Sequence, residues 1–180
     1  VRSHYVVKEE KNNLDPTKKT ISVIDYGLGN LKSVISGFQR IGHKVAVAST
    51  PEEILSAESI VLPGVGAFED GMKGLRERNL IDALHKYVNS GKPLLGICLG
   101  TQLLMSESEE FGLHKGLGII KGRVIQLKDP SQINEKNYRV PHMGWNSLMA
   151  PKKKWNNTIL SKTQENSEVY FVHSFIVVPN

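Results

Sequence analysis

Short apolar segments alternate with amphipathic segments between residues 21 and 106, and this alternation constrains the fold more than any other feature of the sequence. The segments Ile21–Ile24, Val45–Ala48, Ser59–Leu62 and 93–97 are rich in apolar and β-branched residues, as the buried strands of parallel sheets are. Between them, apolar residues recur at helical spacing. Regular alternation of strand and helix predicts an α/β fold with a mostly parallel sheet, right-handed crossovers and helices on both faces.

Capping signals predict where several helices begin. Asn30 immediately precedes an apolar stripe of helical period, and Thr50-Pro-Glu-Glu53 forms a capping box with proline at the first helical position. Residues 67–90 are expected to be helical with an interruption near Asn79, and a further helix is expected over residues 99–106.

The two ends of the chain differ from this alternating region. Residues 1–20 are polar and have no periodicity, so we expect a tail that is disordered or loosely packed, followed by a domain over residues 21–180. Beyond the alternating region, strands are expected over residues 119–127 and 169–178, and polar loops over residues 128–137 and 150–167.

Composition excludes several classes of protein. Hydrophobic residues make up 39% and charged residues 23% of the 180 residues, which is typical of one packed domain and not of a disordered, collagen-like or coiled-coil chain. No apolar run is long enough to span a bilayer, and residues 1–20 contain no apolar segment typical of a signal peptide. The single cysteine, Cys98, excludes an intrachain disulfide and a cysteine-rich zinc site, so we expect a reducing, cytoplasmic location and no metal site.

The positive charge is concentrated in one part of the chain. The net charge is +5, and residues 115–154 alone carry nine Lys or Arg against two Asp or Glu. Such an excess could attract a phosphate-bearing or acidic partner. Neither a helix nor interleaved aromatic residues accompany it, so we favour a solvated face and expect neither nucleic acid nor a membrane as a partner.

The strongest local motif is Gly96-Ile-Cys-Leu-Gly100, in which an apolar strand leads directly into a helix. This is the arrangement of a nucleophile elbow, with a thiol in place of the serine hydroxyl. The two glycines allow a sharp turn, and the start of the helix directs free N–H groups at the sulfur and at any oxyanion formed beside it. We therefore favour Cys98 as a nucleophile over a small buried apolar residue.

A second glycine-rich turn ends the neighbouring strand. Pro63-Gly-Val-Gly66 follows the third predicted strand, so it should lie at the same edge of the sheet as the cysteine motif. Two residues without a Cβ let the backbone approach a ligand closely. The segment is either a second source of oxyanion donors or only a strand-to-helix turn.

Five motifs in order resemble a known family. They are Asp25-Tyr-Gly-Leu-Gly-Asn30, Pro63-Gly-Val-Gly66, Gly96-Ile-Cys-Leu-Gly-Thr-Gln102, Pro141-His-Met-Gly-Trp-Asn146 and Tyr170-Phe-Val-His-Ser174. Together they resemble the class I (triad) glutamine amidotransferases, and more narrowly the HisH family, the glutaminase subunits of imidazole glycerol phosphate synthase. The resemblance covers about residues 21–178.

The resemblance implies a flavodoxin-like fold, a glutaminase reaction and no cofactor. A cysteine thiolate attacks the side-chain amide of L-glutamine, ammonia leaves, and water hydrolyses the glutamyl thioester to glutamate. The resemblance also implies a heterodimer with a (β/α)8 cyclase subunit of the HisF type, which receives the ammonia in histidine biosynthesis.

The resemblance assigns roles to individual residues, with Cys98 as the nucleophile. The oxyanion donors that it implies are backbone groups of Leu99, Gly64 and Val65. The residues that it implies for binding glutamine are Gln102, Gly66, His173, Ser174 and Phe175. The residues that it places at the interface with the partner are Asn30, His142 and Trp145.

Two of these interface assignments have ordinary alternatives. Asn30 is also a suitable helix cap. Trp145 could be a core aromatic residue, but Pro141, Gly144 and Asn146 surround it, a composition typical of a loop. A large aromatic residue in a loop favours an interface.

The sequence departs from the family at the general base. The family takes a histidine base and its orienting carboxylate from a late Phe-His-Pro-Glu motif, and none of the six histidines here is followed by Pro-Glu. His173 is the alternative candidate for the base, although its context matches the wall of the glutamine pocket. We therefore expect a chain that is truncated at its C-terminus, and no useful turnover from these 180 residues alone.

Two further interpretations stay open. The chain could serve a sugar amidotransferase of surface-polysaccharide biosynthesis with the same glutaminase chemistry. It could instead be a non-catalytic binding module of the same fold, an interpretation that the cysteine motif argues against and the missing histidine and glutamate favour.

Overall fold

The computed structural model describes residues 19–127, 140–150 and 155–180. Residues 1–18 of the expected tail and the expected loop 128–137 lie outside the described residues, so the boundary expected at residue 21 stays a prediction. The chain divides into two compact units, one up to Val124 together with Val177–Asn180, and one over Ile125–Ile176.

A four-stranded parallel sheet organises the first unit. Its strands are β1 (Ile21–Ile24), β2 (Val45–Ala48), β3 (Ser59–Leu62) and β4 (Leu94–Gly96), in the order β2-β1-β3-β4. In the parallel register Ile21 lies opposite both Val45 and Ser59, and Ile60 lies opposite Leu94. The predicted α/β class is confirmed. Because parallel strands end at a common edge, the turns that follow β3 and β4 lie at the same end of the sheet.

Within the described residues, four helices connect these strands and a fifth follows β4. They are α1 (Leu31–Arg40), α2 (Pro51–Ser56), α3 (Phe68–Glu77), α4 (Leu80–Asn89) and α5 (Leu99–Leu103). The two N-caps are confirmed, since the side chains of Asn30 and Thr50 accept hydrogen bonds from the N–H groups of Ser33 and Glu53. The interruption near Asn79 is also confirmed, because this residue separates α3 from α4 at a φ of 57°. Among the described helices none is long and apolar enough to cross a membrane.

The apolar residues of β1 form one part of the core with α1. Val23 is completely buried, and Ile21, Leu31, Ile35 and Val61 pack around it. The helical spacing of Leu31 and Ile35 places both side chains on the face that meets the sheet. Burial of each of these side chains contributes roughly 1.5–3 kcal/mol to stability.

Two of the expected elements differ from the secondary structure that forms. Helix α5 ends at Leu103, and not near residue 106, because the chain then forms β5 (Met105–Ser108) in a second sheet. This sheet has the order β10-β7-β5-β6, with β6 (His114–Lys115), β7 (Ile120–Gln126) and β10 (Phe175–Pro179). The strand expected over 169–178 is divided at Ser174 into β9 (Glu168–His173) and β10, which pair with different strands.

An antiparallel strand pair forms the regular part of the second unit. Strand β8 (His142–Ser147) pairs with β9, and Trp145 lies opposite Tyr170. The expectation that Trp145 lies in a loop is therefore wrong. Gly144 and Asn146 have low strand propensity, but the pairing with β9 overrides it.

The capping box of α2 makes a testable contribution to stability. The side-chain oxygen Oε2 of Glu53 accepts hydrogen bonds from the N–H groups of Ser49 at 2.6 Å and Thr50 at 3.0 Å. The bond from Ser49 is the main reason why the pKa of Glu53 lies below its ordinary value. A carboxyl group whose pKa is lower in the folded state stabilises the fold above its unfolded pKa, and loses this effect as the pH falls through the folded value.

We expect Glu53→Gln to lower the free energy of unfolding by about 0.5–1 kcal/mol at neutral pH, because the carboxylate is largely exposed. The difference from wild type should shrink as the pH falls below about 4. Urea unfolding at several pH values measures both effects. Glu52→Gln, one residue earlier in the same helical turn, is the matched control, and an equal pH-dependent loss in that variant would contradict the assignment.

Candidate active site

The backbone at Cys98 has the strained conformation of a nucleophile elbow. Cys98 has φ 55° and ψ −119°, a region that residues with a side chain rarely adopt. It lies between Gly96, the last residue of β4, and Leu99, the first residue of α5. The thiol is exposed. A strained and exposed cysteine between a strand and a helix is the geometry that the sequence predicts for a nucleophile.

Close packing explains why both glycines of the motif are needed. A Cβ on Gly96 would lie 2.7 Å from the Cα of Thr101, so only glycine lets the helix fold back over the strand. A Cβ on Gly100 would overlap the carbonyl oxygen of Leu62 at the end of β3. The glycines therefore fix the helix against two strands and leave Cys98 at the apex of the turn.

The start of α5 leaves one N–H group beside the cysteine. The N–H of Gly100 donates to the carbonyl oxygen of Ile97 at 3.0 Å, and those of Thr101 and Gln102 donate to the carbonyl oxygen of Cys98. Within the described part of the chain the N–H of Leu99 has no hydrogen-bond acceptor. This geometry is compatible with the expected role of Leu99 as an oxyanion donor.

The turn after β3 packs against this elbow. Pro63 and Gly64 are buried, and a Cβ on Gly64 would come within 2.9 Å of the Leu99 side chain. Val65 is 52% exposed, and Gly66 has a φ of 102° with open space on its Cβ side. Gly64 therefore contacts α5, and the two residues that follow it, Val65 and Gly66, are accessible to solvent.

Tyr26 packs with the turn at Cys98 and the turn after β3, which we call the elbow cluster. The sequence analysis did not single this residue out. Its ring is completely buried, and its hydroxyl donates a hydrogen bond of 2.7 Å to the carbonyl oxygen of Pro63. Burial, and after it the negative charge of Cys98, raises the pKa of Tyr26 above its ordinary range. Its position in the first glycine-rich motif, directly before Gly27, was the available signal.

The other expected residues of the first unit occupy less constrained positions. Gln102 is half-buried and lies one helical turn beyond Cys98 on α5, as the resemblance implies. Asn30 is exposed and acts as the N-cap of α1, with 3.2 Å between its Oδ1 and the backbone nitrogen of Ser33. The capping alternative for Asn30 is therefore confirmed, and its place at an interface stays a prediction.

A histidine pair lies on one face of the β8–β9 pair. Nδ1 of His142 lies 3.3 Å from Nε2 of His173, and Nδ1 of His173 lies 3.1 Å from the carbonyl oxygen of Phe175. The imidazole of His142 also stacks on the ring of Phe171, with 5.3 Å between centroids. Both ring nitrogens of His173 thus have partners inside the second unit. Ser174 and Phe175, the other expected pocket residues, are half-buried where β9 ends and β10 begins.

The opposite face of the same strand pair is apolar and exposed. Side chains alternate along a strand, so Met143 and Trp145 lie on one face together with Val172 and Tyr170, their partners in the register. Each of the four is between 53% and 66% exposed. Trp145 meets Tyr170 edge to face, with 5.6 Å between ring centroids. We refer to these four residues as the tryptophan face, from which His142 points away.

The described residues contain no group of three or more His, Cys, Asp or Glu side chains that could hold a metal ion.

Comparison with known proteins identifies relatives of the whole alternating region. Residues 22–180 match the family described as glutamine amidotransferase class-I. An imidazole glycerol phosphate synthase subunit HisH from Legionella pneumophila (strain Lens) is 50% identical over 89% of this chain and 76% of that protein. The corresponding subunit from Bacillus licheniformis is 48% identical over 87% of this chain and 72% of that protein.

Solved structures agree at the level of the fold. The crystal structure of a glutamine amidotransferase superposes with a TM-score of 0.64 at 18% identity, over 87% of this chain and 72% of that chain. A structure of PurLQS from Thermotoga maritima superposes with a TM-score of 0.62 at 18% identity, over 91% of this chain and 70% of that chain. The family resemblance, the α/β fold and the expectation of a glutaminase enzyme are confirmed together.

The packing of Gly100 can be tested against a second helical glycine. We expect Gly100→Ala to destabilise the protein by several kcal/mol or to displace α5, since its Cβ would overlap the backbone of β3. Gly37→Ala, in α1 with open space at the Cβ, should instead be neutral or stabilising by up to about 1 kcal/mol. Thermal unfolding and the rate of Cys98 alkylation measure the two variants. A tolerated Gly100→Ala variant with normal alkylation would contradict the proposed packing.

Proposed function

This chain belongs to the class I glutamine amidotransferase family, and from that membership we propose that it is the glutaminase subunit of an imidazole glycerol phosphate synthase. The relatives from Legionella pneumophila, Geobacter metallireducens and Bacillus licheniformis, at 42–50% identity, all carry the name of that subunit. The strained, exposed Cys98 beside a buried glycine turn is the structural observation that carries the proposal.

The proposed reaction begins with attack of the Cys98 thiolate on the side-chain carbonyl carbon of L-glutamine. The carbonyl oxygen becomes an oxyanion, which the free N–H of Leu99 and the backbone of Gly64 and Val65 would stabilise. Ammonia leaves when the carbonyl re-forms, and water then hydrolyses the thioester to glutamate. The packing of Gly64 against Leu99 holds the turn after β3 against the start of α5, which supports the joint role of these donors.

The remaining site residues would bind and orient the substrate. Gln102 lies one turn from the nucleophile on α5, where a side-chain amide could hold the amino-acid end of glutamine. Gly66 has open space on its Cβ side and could line the same pocket. The predicted wall of this pocket is His173, Ser174 and Phe175.

The contacts of His173 support the wall role over the role of general base. A base needs one free ring nitrogen in reach of the thiol, whereas both nitrogens of His173 have partners, His142 and the carbonyl of Phe175. The imidazole is therefore oriented by its own unit, as expected for a residue that shapes a pocket.

The product ammonia would pass to a cyclase partner. The names of the relatives imply an assembly with a cyclase, and we propose that this cyclase is a (β/α)8 subunit of the HisF type. We also propose that ammonia is channelled between the two subunits and that the assembly has lyase activity. The proposed location is the cytoplasm. We propose the tryptophan face as part of the interface, with Asn30 as a second contact. Four neighbouring apolar side chains with this exposure are typical of a binding surface.

The orientation of His142 modifies the expected interface. His142 and Trp145 were both expected at the partner, but they lie on opposite faces of the strand pair. His142 contacts His173, Asn146 and Phe171 within the chain. Its proposed effect on the partner is therefore indirect, through the strands that carry the tryptophan face.

Replacement of the nucleophile gives a first test of the proposed function. In the protein expressed from its complete gene, we expect Cys98→Ser to abolish glutamate release from glutamine, because the hydroxyl is a far weaker nucleophile in this turn. Formation of the cyclase product from added ammonium salt should persist in the assembly with the cyclase. Coupled assays of glutamate and of the cyclase product measure both activities, and loss of the ammonium-dependent reaction in an intact complex would contradict a pure glutaminase role.

The tryptophan face gives a second test. We expect Trp145→Ala to weaken assembly with the cyclase by roughly 1–3 kcal/mol, the effect of a central aromatic residue of an interface. Isothermal titration calorimetry with the purified cyclase measures the affinity. Ile159→Ala, which removes an apolar side chain that is 85% exposed elsewhere in the second unit, is the control. Unchanged affinity of a folded Trp145→Ala variant would exclude this surface.

A further inference from the structure

Tyr26 is the buried polar residue of the elbow cluster for which the proposed reaction gives no role. Its side chain has no exposed surface, and the Pro63 carbonyl that accepts its hydrogen bond is buried as well. If this hydrogen bond breaks, a buried carbonyl and a buried hydroxyl each remain without a partner, which costs free energy. The bond is therefore expected to stay formed. The bond joins the loop after β1 to the turn after β3.

The bond controls the direction of a peptide plane. The carbonyl of Pro63 and the N–H of Gly64 belong to one planar trans peptide and point in opposite directions. A hydroxyl that holds the carbonyl on one side therefore holds the N–H on the other. The Cβ that Gly64 lacks would overlap the Tyr26 hydroxyl oxygen and lie 3.1 Å from the backbone nitrogen of Gly100. Gly64 is thus enclosed between the tyrosine and the start of α5.

The backbone of Tyr26 is itself anchored. Nη1 of Arg78, the residue after α3, donates a hydrogen bond of 2.6 Å to the carbonyl oxygen of Tyr26. Gly74 on α3 packs against the same carbonyl so closely that a Cβ would lie 2.5 Å from the oxygen. The tyrosine is therefore held at both ends, by α3 at its backbone and by the turn after β3 at its hydroxyl.

We propose that Tyr26 is a positioning residue for the glutaminase reaction: its hydroxyl orients the Pro63–Gly64 peptide and so fixes the backbone donors of Gly64 and Val65 beside Cys98. The inference rests on the proposed function. Tyr26 does not touch the substrate in this scheme, and it acts on the oxyanion through the turn that it holds. Because burial and the nearby thiolate raise the pKa of Tyr26, the hydroxyl keeps its proton and stays a donor while Cys98 is ionised.

The chain contains a matched control. Tyr87 on α4 is also buried, and its hydroxyl also donates to a proline carbonyl, that of Pro93, at 3.1 Å. Pro93 precedes β4 whereas Cys98 follows it, so this second tyrosine–proline bond lies at the other end of the strand from the elbow. Removal of either hydroxyl costs one hydrogen bond, which is buried at Tyr26 and partly buried at Tyr87, but only Tyr26 adjoins the proposed oxyanion donors.

The test compares Tyr26→Phe and Tyr87→Phe in the protein that is expressed from its complete gene and assembled with its cyclase subunit. We expect Tyr26→Phe to lower kcat for glutamate release by about tenfold or more, with KM within about twofold of wild type, because the lost alignment matters only when the oxyanion forms. We expect Tyr87→Phe to keep kcat within about twofold. It should also lose stability in urea, but less than Tyr26→Phe, because its hydrogen bond is only partly buried.

Two reagents distinguish an effect of the substitution on the oxyanion from an effect on the reactivity of the thiol. The Cys98 thiolate adds to the aldehyde carbon of glutamate γ-semialdehyde, the carbonyl π bond breaks, and its electron pair stays on the oxygen as an oxyanion that faces the donors. The affinity for this aldehyde should fall in Tyr26→Phe by about the same factor as kcat. Iodoacetamide alkylates the sulfur, releases iodide and forms no oxyanion, so its rate should stay within about twofold.

The inference is overturned if Tyr26→Phe keeps the wild-type kcat, if iodoacetamide alkylation slows in proportion to kcat, or if Tyr87→Phe loses as much activity. Should Tyr26→Phe fail to fold, Arg78→Met at the exposed anchor must lower kcat several-fold at constant KM, and an unchanged kcat there overturns the inference. If the wild-type protein, expressed from its complete gene and assembled with the cyclase, released no glutamate, that result would instead overturn the proposed function, and with it this inference.

Discussion

The carbonyl group of Leu62 holds the reactive turn in place. It accepts the N–H of Ile97 at 3.0 Å, which extends the pairing of β3 with β4 by one residue beyond Gly96. The same oxygen occupies the position that a side chain on Gly100 would need. Strand pairing and helix packing thus meet at one atom, and the chain between Ile97 and Gly100 must turn within two residues. The positive φ of Cys98 follows from this constraint.

The surrounding burial is large enough to maintain the strain. A residue with a side chain in such a conformation costs on the order of 1–3 kcal/mol. Leu99 and Leu103 of α5 are almost completely buried, and each contributes roughly 1.5–3 kcal/mol relative to an exposed side chain. The short helix therefore stays in position through its apolar contacts, and it needs no further turns to do so. A reactive thiol can remain exposed at its first turn because the two leucines face inward.

Local patterns predicted the parts of the fold that depend on neighbours in sequence. The capping box at Thr50, the break at Asn79 and the elbow at Cys98 each follow from a few adjacent residues, and the structure has all three. Strand β5 was missed because Met105–Ser108 shows no strand pattern and becomes a strand by pairing with β6 and β7. The bond from Tyr26 to Pro63 spans 37 residues, so the sequence could place each residue in a glycine-rich motif but could not show that the two pair.

The β8–β9 pair shows how one short motif can carry two unlike surfaces. Alternation along the strands directs His142 and His173 to one face and Trp145 with Tyr170 to the other. The polar face satisfies its ring nitrogens within the chain, which fixes the orientation of both imidazoles. The apolar face has no such requirement and remains exposed. A partner that covers the tryptophan face would therefore contact strands whose opposite face is already fixed by hydrogen bonds. Binding then does not require the histidine pair to reorganise.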